Sequence, residues 1–243
     1  MTNEVIKKLK AEYQKMEFNS NDIPCLVNKY YMKEDNEKYM KMYDWMSRGY
    51  DFFETVGGLF YGNQVNQMRQ EMMNKLEWKN NISVLYVSIG TGKDLEFISQ
   101  NIDLKSLQIC GIDISLGMLK RCKKKFNKKT NLSLLKCCAE DLPFQDNLFD
   151  IVFHVGGINF FTDKQKAINE MIRVAKENTK ILIADETNDL IEKLYKKRGF
   201  TKKYYTDKTV DLNEMEKLIP ATVKEIETTI LWNKKFYCIT FRK

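Results

Sequence analysis

The chain has 243 residues, of which 43% are hydrophobic and 30% are charged, and its formal net charge is +7. This composition excludes an intrinsically disordered chain, and the length allows a single domain with a substantial core. The sequence contains no apolar run of the roughly 20 residues that a membrane-spanning helix needs. Residues 1–6 open a polar helix and not a signal peptide, so we expect a cytoplasmic protein.

Residues 1 to about 79 precede the first predicted strand and are expected to be helical, with many aromatic and methionine side chains. Asn63 is suited to cap a helix that reaches Trp78. The apolar residues of that helix fall on one face: Val65, Met68, Met72 and Leu76. We expect residues 1–79 to form an N-terminal helical cap, and residues 80–243 to form the core domain.

The most informative segment is an apolar run, residues 84–89, that breaks into a turn at Gly90 and Gly92. Both glycines can adopt positive φ and let a ligand approach the main chain. Asp113 lies 21 residues after Gly92, at the end of the next apolar run. A carboxylate there can accept the ribose hydroxyls of a nucleoside, because ligands of open parallel sheets bind beyond the carboxyl ends of the strands. The pattern predicts a pocket for an adenine nucleoside cofactor.

A dinucleotide is the weaker choice of cofactor. The fingerprint G-x-G-x-x-G, counted from Gly90, would need a small residue at the position of Leu95. That third small residue allows close packing of helix against strand, and leucine is too large for it.

Strands and helices are expected to alternate after residue 80. We expect strands near 82–88, 107–113, 132–137, 149–154 and 180–185, and helices near 92–101, 115–128 and 163–177. Such alternation predicts an α/β fold with a mostly parallel sheet and helices on both faces. A helix near 189–198 follows, and two β-rich runs at 221–232 and 235–242 are expected to close the sheet as an antiparallel pair.

The densest basic run, residues 120–129, lies on the helix that follows Asp113. Leu119, Cys122 and Phe126 are spaced as its buried stripe, which leaves the lysines on the outer face. We favour a solvated helix face over a nucleic-acid contact, although the net charge of +7 keeps that alternative open.

The six cysteines contain no Cys-x-x-Cys pair, so we expect reduced and mostly buried thiols. A thiol site for a metal or arsenic at Cys137 and Cys138 is the alternative. Neighbours on a strand point to opposite faces, which disfavours a site that uses both.

Four segments in order resemble class I S-adenosylmethionine-dependent methyltransferases, in the small-molecule branch similar to ubiquinone/menaquinone C-methyltransferases. The segments are VLYVSIGTGKDLEF, CGIDIS, CAEDLPFQDNLFDIVFHVGGINFF and INEMIRVAKENTKILIADET, and they span about residues 83–186. The resemblance implies a Rossmann-like seven-stranded sheet with a closing antiparallel strand pair. It also implies S-adenosylmethionine as cofactor and S-adenosylhomocysteine as product.

The resemblance further implies a set of cofactor-binding residues. Ser88, Gly90 and Gly92 would line the methionine and ribose side. Asp113 would hold the ribose diol and Ile114 would pack on the adenine. The remaining members are Ala139 and Glu140 at the adenine edge, chiefly through main-chain groups, His154 and Val155 beside the reactive methyl, and Tyr50, whose pairing with Asp51 resembles the family.

Two positions depart from the family pattern. Tyr86 stands where the family usually has an acid that helps to hold the cofactor's amino group, and Cys138 stands where an Asp often precedes the Ala-Glu pair. Tyrosine carries no charge near neutral pH, and a thiol is a poor hydrogen-bonding group. These departures keep open an alternative function as an inactive pseudo-methyltransferase that binds a nucleoside or a protein partner.

His154 is the only histidine in the chain and is expected at the active-site end of a strand. It is our candidate for the catalytic base that would take a proton from the acceptor, the alternative being a residue that only shapes the pocket. Asp185 and Glu186 end the fifth predicted strand and could face the substrate. The stretch after His154 lacks the Pro-Pro-aromatic signature of amino-directed nucleic-acid methyltransferases.

A catechol-type metal site would need a carboxylate at the position of His154, so we expect no metal. The sequence thus predicts methyl transfer to O, C or N of a small ring or quinone-like acceptor, and it leaves the oligomeric state open.

Overall fold

The computed structural model describes residues 3–17, 22–47, 50–196, 202, 204–205 and 209–243, and within these the side chains of residues 3–4, 50–61 and 194–195 lie outside the description. A seven-stranded sheet forms the centre of the fold, in the order β3-β2-β1-β4-β5-β7-β6. Its strands are β1 (Ser83–Val87), β2 (Gln108–Asp113), β3 (Asn131–Lys136), β4 (Ile151–Val155), β5 (Lys180–Glu186), β6 (Lys224–Leu231) and β7 (Phe236–Arg242).

Strands β1 to β5 run parallel, and β7 pairs antiparallel with both β5 and β6. The predicted mostly parallel sheet with its closing antiparallel pair is therefore confirmed. Its central strands are apolar on both faces, as expected where both faces are covered. On β1, Leu85 and Val87 belong to one buried cluster, and Val84 and Tyr86 belong to the other.

The helices are α1 (Asn3–Lys8), α2 (Ala11–Gln14), α3 (Glu34–Met46), α4 (Tyr50–Asn74), α5 (Leu116–Phe126), α6 (Lys164–Val174), α7 (Asn188–Leu190) and α8 (Leu212–Lys217). In α5, the stripe of Leu119, Cys122 and Phe126 is buried as predicted. In α6, Asp163 caps the first turn by accepting from Lys166 N at 2.9 Å.

The predicted helix that begins at Asn63 is wrong in its start. Helix α4 passes through Asn63 without interruption and ends at Asn74, before Trp78. Its apolar face is nevertheless as expected, since Met68 and Met72 are buried and Val65 is partly buried against the same cluster, while Leu76 is buried just beyond the end of the helix. An asparagine caps a helix only where the chain enters it from a non-helical conformation, and here the preceding residues are already helical.

The helix expected near 92–101 is a 3₁₀ turn of five residues, Lys93–Phe97. Gly92 enters it in the left-handed conformation (φ +78°), and Leu95 N donates to Gly92 O at 3.1 Å. This three-residue spacing gives the tighter turn, which rarely extends far. Similarly, the helix expected near 189–198 is the short α7, which continues as a π turn, Ile191–Tyr195.

Residues 5–26, near the start of the chain, pack against the central sheet. Val5, Leu9 and Leu26 share a buried cluster with Leu85 of β1. Around Cys25 the chain forms a short parallel bridge with β3, where Leu26 N donates to Lys136 O and Lys136 N donates to Pro24 O, each at 2.8 Å. Cys25 is exposed and the other five cysteines are buried, as the sequence predicts.

Candidate functional site

A cavity of about 250 Å³ lies at the carboxyl ends of β1, β2 and β4. Its walls come from the turn after β1, the end of β2, the loops after β3 and β4, and helix α3. This is the place where open parallel sheets bind their ligands. Seven of the predicted site residues line it: Ser88, Gly90, Asp113, Ile114, Ala139, Glu140 and Val155.

Asp113 is a buried carboxylate in the wall of this site and is only 8% exposed. Its Oδ2 accepts from Gly90 N at 2.9 Å, and its Oδ1 accepts from Ser115 N at 2.8 Å. Burial raises the pKa of Asp113 to about 6, although both hydrogen bonds favour the charged form. The main chain of Ile114 also donates to it, and since a carboxylate has about four acceptor sites, it can still accept from a ligand in the cavity.

The two glycines of the first turn have different tasks. Gly90 has a φ of +54°, and a Cβ added to it would meet no atom within 4 Å, so its surface is open to the cavity. Gly92 also has positive φ, but a Cβ there would lie 2.8 Å from Phe126 and 2.9 Å from the Cys122 sulfur. Gly92 therefore allows α5 to pack closely and is absent from the cavity wall as described.

Ser88 joins β1 to this turn in an unusual conformation, with a φ of +56°. Left-handed backbone at a non-glycine residue is strained and often marks a functional site. Here it turns the chain so that Ser88 and Gly90 both border the cavity.

Glu140 lines the cavity, and its side chain also bonds to a residue of helix α3. The residue is 1% exposed, and its Oε1 accepts from Asn36 Nδ2 at 2.7 Å. Burial raises the pKa of Glu140, while the bond from Asn36 opposes that shift. Glu140 thus ties the loop after β3 to helix α3. Cys138, next to it, is a buried thiol whose pKa burial raises to about 12.

His154 does not have the geometry of the expected catalytic base. It is fully buried and does not belong to the cavity wall formed by the described residues. Its Nδ1 donates to Val87 O at 3.2 Å, and its Nε2 accepts from Ile158 N at 3.0 Å. Desolvation lowers the pKa of His154 to about 4. With both nitrogens bound to main chain, the ring holds the loop after β4 against β1.

The loop after β4 meets the cavity through Val155, Gly156 and Gly157. Gly156 has a φ of +82°, and a Cβ there would meet no atom within 4 Å. Like Gly90, this residue offers open main chain to a ligand.

Asp185 and Glu186 point to different surroundings. Asp185 is fully buried, and its Oδ2 accepts from Asn159 N at 2.8 Å, so it fixes the loop after β4. Burial raises the pKa of Asp185 well above its ordinary value, and the neighbouring Glu186 adds to the effect. Glu186 instead lines the cavity, where it could face a substrate.

Helix α3, which lies within the segment expected to form the cap, borders the cavity. It contributes five wall residues: Asn36, Tyr39, Met42, Tyr43 and Met46. At its other end Asp44 Oδ1 accepts from Ser115 Oγ at 2.6 Å and from Gly117 N at 3.0 Å, at the start of α5. The helix is thereby fixed to both sides of the cavity. Tyr50 begins the next helix, but its side chain lies outside the described residues.

A charged cluster forms one end of the cavity wall and was missed. We call it the Arg69–Asp94–Tyr86 cluster, after its three side chains. Arg69 Nη1 of α4 lies 2.5 Å from Asp94 Oδ1, and the Tyr86 hydroxyl donates to Asp94 Oδ2. All three residues line the cavity. The spacing of Tyr86 and Asp94, either side of the glycine turn, was the only sequence signal that could have suggested it.

The described part of the chain includes no group of three or more His, Cys, Asp or Glu side chains placed to hold a metal ion. Its helices are all too short or too polar to cross a membrane.

Comparison with known proteins agrees with the fold and with the sequence motifs. Residues 85–183 match the profile of a family described as methyltransferase domain. The ubiquinone/menaquinone biosynthesis C-methyltransferase of Geotalea daltonii is 30% identical over 160 residues, which are 63% of this chain and 65% of that protein. The chain therefore spans just under two thirds of that relative's length.

Solved structures show the same architecture. An S-adenosylmethionine-dependent methyltransferase from Thermotoga maritima superposes with a TM-score of 0.59 at 17% identity, over 82% of this chain and 98% of that chain. Phosphoethanolamine N-methyltransferase 2 of Haemonchus contortus, solved with S-adenosyl-L-methionine, superposes with a TM-score of 0.59 at 15% identity. The match covers 88% of this chain and 59% of that chain. The predicted Rossmann-like fold and the resemblance to class I methyltransferases are confirmed.

Proposed function

We propose that this chain transfers a methyl group from S-adenosylmethionine to a small organic acceptor. The observation that carries the proposal is Asp113, a buried carboxylate at the end of β2 that borders the cavity beside the open main chain of Gly90, from which it accepts a hydrogen bond. A nucleoside fits this arrangement, because its ribose hydroxyls can donate to the carboxylate while the glycine turn leaves room beside it. The family match over residues 85–183 supports the same cofactor.

The other cofactor contacts follow from the cavity wall. Ile114 and Ala139 provide apolar surface for the adenine, and Glu140 borders its edge. Ser88 and Gly90 border the ribose and the methionine portion, and Val155 with Gly156 borders the reacting end. Gly92 and His154 act behind this wall, by packing and by holding a loop. The assignment of Tyr50 to the cofactor remains a prediction from its sequence motif.

When bound, S-adenosylmethionine supplies a methyl group that the sulfonium already activates, and it leaves as S-adenosylhomocysteine. The chain then has to orient the acceptor in line with that methyl and to keep water out. Residues 1–79 act as the cap that does this, since α3 covers the cavity and is fixed at Glu140 and at Ser115.

The acceptor would lie between α3 and the loop after β4. Tyr39 and Phe160 form an aromatic wall there, with ring centroids 4.7 Å apart, and Tyr205 packs edge-on against Phe160. Such walls suit a flat ring compound, and the Geotalea relative is named for action on quinones. Glu186 is the carboxylate in this part of the wall and would take a proton released by the acceptor.

Calorimetry tests the proposal on the purified full chain, with S-adenosylmethionine, S-adenosylhomocysteine and NAD as titrants. We expect both S-adenosyl compounds to bind and NAD not to bind. Asp113→Asn should lower the affinity for both S-adenosyl compounds roughly 10- to 100-fold, because the variant loses a charge-assisted hydrogen bond. Asp189→Asn, which alters an exposed carboxylate paired with Lys193, is the matched control and should bind as the wild type does.

The outcomes separate the alternatives. Binding that survives Asp113→Asn would reject the assigned ribose contact. Wild-type protein that binds neither compound would reject the methyltransferase and favour the pseudo-enzyme reading that Tyr86 and Cys138 raised.

A further inference from the structure

The excess positive charge of this protein lies on one helix, α5, and on the turn that follows it. Residues 115–131 contain seven of the 40 Lys and Arg residues and no Asp or Glu. The remaining 33 basic residues, 40 less these seven, equal the 33 acidic ones, so this segment alone accounts for the formal net charge of +7. A local excess of one sign attracts a partner of the opposite sign.

Three of these lysines form a row on the outward side of α5. Cys122 and Phe126 face the core. Lys120 and Lys124 lie on the opposite side, four residues apart, and Lys128 follows in the turn past the end of the helix. All three lysines are exposed. We call them the lysine row.

The lysine row does not stabilise the protein by itself. Like charges four residues apart on a helix repel each other. The attraction of cations to the carboxyl end of a helix offsets this repulsion for Lys124, which is in the last turn of α5, but not for Lys120, which is in the middle. A polyanion laid along the lysine row would remove the repulsion.

The lysine row begins where helix α3 ends, above the first turn of α5. Asp44 Oδ1 of α3 accepts from Gly117 N at 3.0 Å, and Gly117 lies one turn before Lys120. The same end of α3 carries Trp45, which is 56% exposed. Exposed tryptophan together with lysine is the combination found at the interface between membrane and water.

We propose that the lysine row and Trp45 form a docking surface for an anionic lipid bilayer. The lysines lie against the lipid phosphates, and Trp45 enters the headgroup region. The row contains only lysines, whose point charges suit a diffuse anionic surface, whereas specific contacts to nucleic acids favour the planar fork of arginine.

The choice of a bilayer also rests on the proposed function. An acceptor that suits the aromatic wall of Tyr39 and Phe160 is a flat, apolar compound, and such compounds collect in lipid. Docking through the lysine row brings the end of α3 to the bilayer, and α3 borders the cavity. The protein would therefore dock where its acceptor is concentrated.

Cosedimentation with vesicles tests the proposal on the full chain without cofactor. Vesicles of phosphatidylcholine alone are compared with vesicles of equal parts phosphatidylcholine and phosphatidylglycerol. We expect the affinity for the anionic vesicles to be higher by roughly 100-fold, about fivefold for each of the three lysines. Added salt should weaken this binding steeply, because exposed charges are screened.

Two triple variants with the same net charge locate the surface. The first has Lys120→Gln, Lys124→Gln and Lys128→Gln, and it should lose the preference for anionic vesicles. The control changes three exposed lysines in other parts of the chain, and it should keep the preference. Its substitutions are Lys7→Gln, Lys105→Gln and Lys224→Gln.

Tryptophan fluorescence tests the part of Trp45. The emission of the wild type should shift to shorter wavelength when anionic vesicles are added, because an indole that enters the headgroup region leaves water. The shift should be absent in Trp45→Phe. A shift that persists in this variant would overturn the insertion of Trp45.

The results also separate this proposal from the proposed function. Equal binding of the wild type to both kinds of vesicle, or equal losses in the two triple variants, overturns the docking surface. Single-stranded RNA that binds through the lysine row, in place of the anionic vesicles, overturns it as well. S-adenosylhomocysteine binding is measured in solution without vesicles, and a wild type that fails there contradicts the proposed function but not the docking surface.

Discussion

Asp113 is buried enough that its proton competes with the cofactor. Its pKa of about 6 lies above the ordinary value, and the ribose hydroxyls donate best to its ionised form. We expect the affinity for S-adenosylhomocysteine to fall roughly tenfold from pH 7 to pH 5, as the carboxylate of the free protein takes up a proton. Calorimetry over this range measures the effect. A wild-type affinity that does not change with pH would contradict the assignment. The Asp113→Asn variant should bind S-adenosylhomocysteine weakly at every pH in this range.

His154 is expected to act on stability and not on the chemical step. His154→Ala leaves Val87 O and Ile158 N without their buried partner, which should cost about 1–3 kcal/mol in the free energy of unfolding. Urea titration at pH 7.5 measures this loss. A folded variant that is as stable as the wild type but has lost turnover would restore the catalytic-base hypothesis.

The same residue predicts a pH dependence with a definite sign. The folded pKa of about 4 is below the ordinary value of 6.5, so the unfolded chain takes up a proton first as the pH falls. The contribution of His154 to stability is complete above pH 6.5 and is lost between pH 6.5 and 4. The difference in stability between wild type and His154→Ala should therefore shrink over that window.

Single residues are also where sequence reasoning reached its limit. Asp113 and Gly90 were predictable, because a motif fixes both the residue type and the place on the sheet. The direction of the His154 ring was not, because it depends on which main-chain groups the loop after β4 brings close. The pairing of Asp94 with Arg69 joins residues 25 positions apart, a separation that carries no local signal.

At the scale of elements, helices α3 and α5 are packed too closely at Gly117 to admit a methyl group. A Cβ there would lie 2.3 Å from Ser47 Oγ and 2.9 Å from Ser47 Cβ. Gly117→Ala should therefore displace α3 and lower the free energy of unfolding by about 1–3 kcal/mol. It should also weaken cofactor binding, because α3 covers the cavity.

Gly62 offers the matched control on a neighbouring helix. It lies within α4, and an added Cβ would meet nothing within 4 Å. Gly62→Ala should raise the free energy of unfolding by about 0.5–1 kcal/mol, because alanine favours the helix. Chemical denaturation of both variants tests the pair, and equal effects at the two sites would contradict the close contact of α3 with α5.

Elements with strong periodicity were predicted well from the sequence, but the positions of these elements relative to one another were not. The stripe of α5 and the alternation of the strands follow from local pattern, and both are confirmed. The break of the chain into a 3₁₀ turn after Gly92 depends on the left-handed φ of that residue, which a helical pattern does not contain. The position of α3 over the cavity depends on Asn36 and Asp44, whose partners are distant in sequence.

For the whole molecule, we expect a single unfolding transition. Val5, Leu9 and Leu26 near the start of the chain share a buried cluster with Leu85 and other side chains of the sheet. Far-ultraviolet circular dichroism and tryptophan fluorescence should therefore give coincident curves in urea. Two separate transitions would mean that residues 1–79 fold apart from the core.

The same titration reports binding to the folded molecule as a whole. S-adenosylhomocysteine at 100 times its dissociation constant should raise the free energy of unfolding by about 2.7 kcal/mol, because it binds only the folded state. No rise at saturation would show that the folded chain does not bind the compound.

The short pairing of residues 24–26 with β3 has a consequence for handling the protein. Without it, the end of the outermost parallel strand would offer the free main-chain donor and acceptor of Lys136 to other molecules. Removing the first 26 residues would expose these two groups together with the apolar surface against which Leu9 and Leu26 pack. Such a truncated protein should self-associate through this apolar surface and the exposed end of β3.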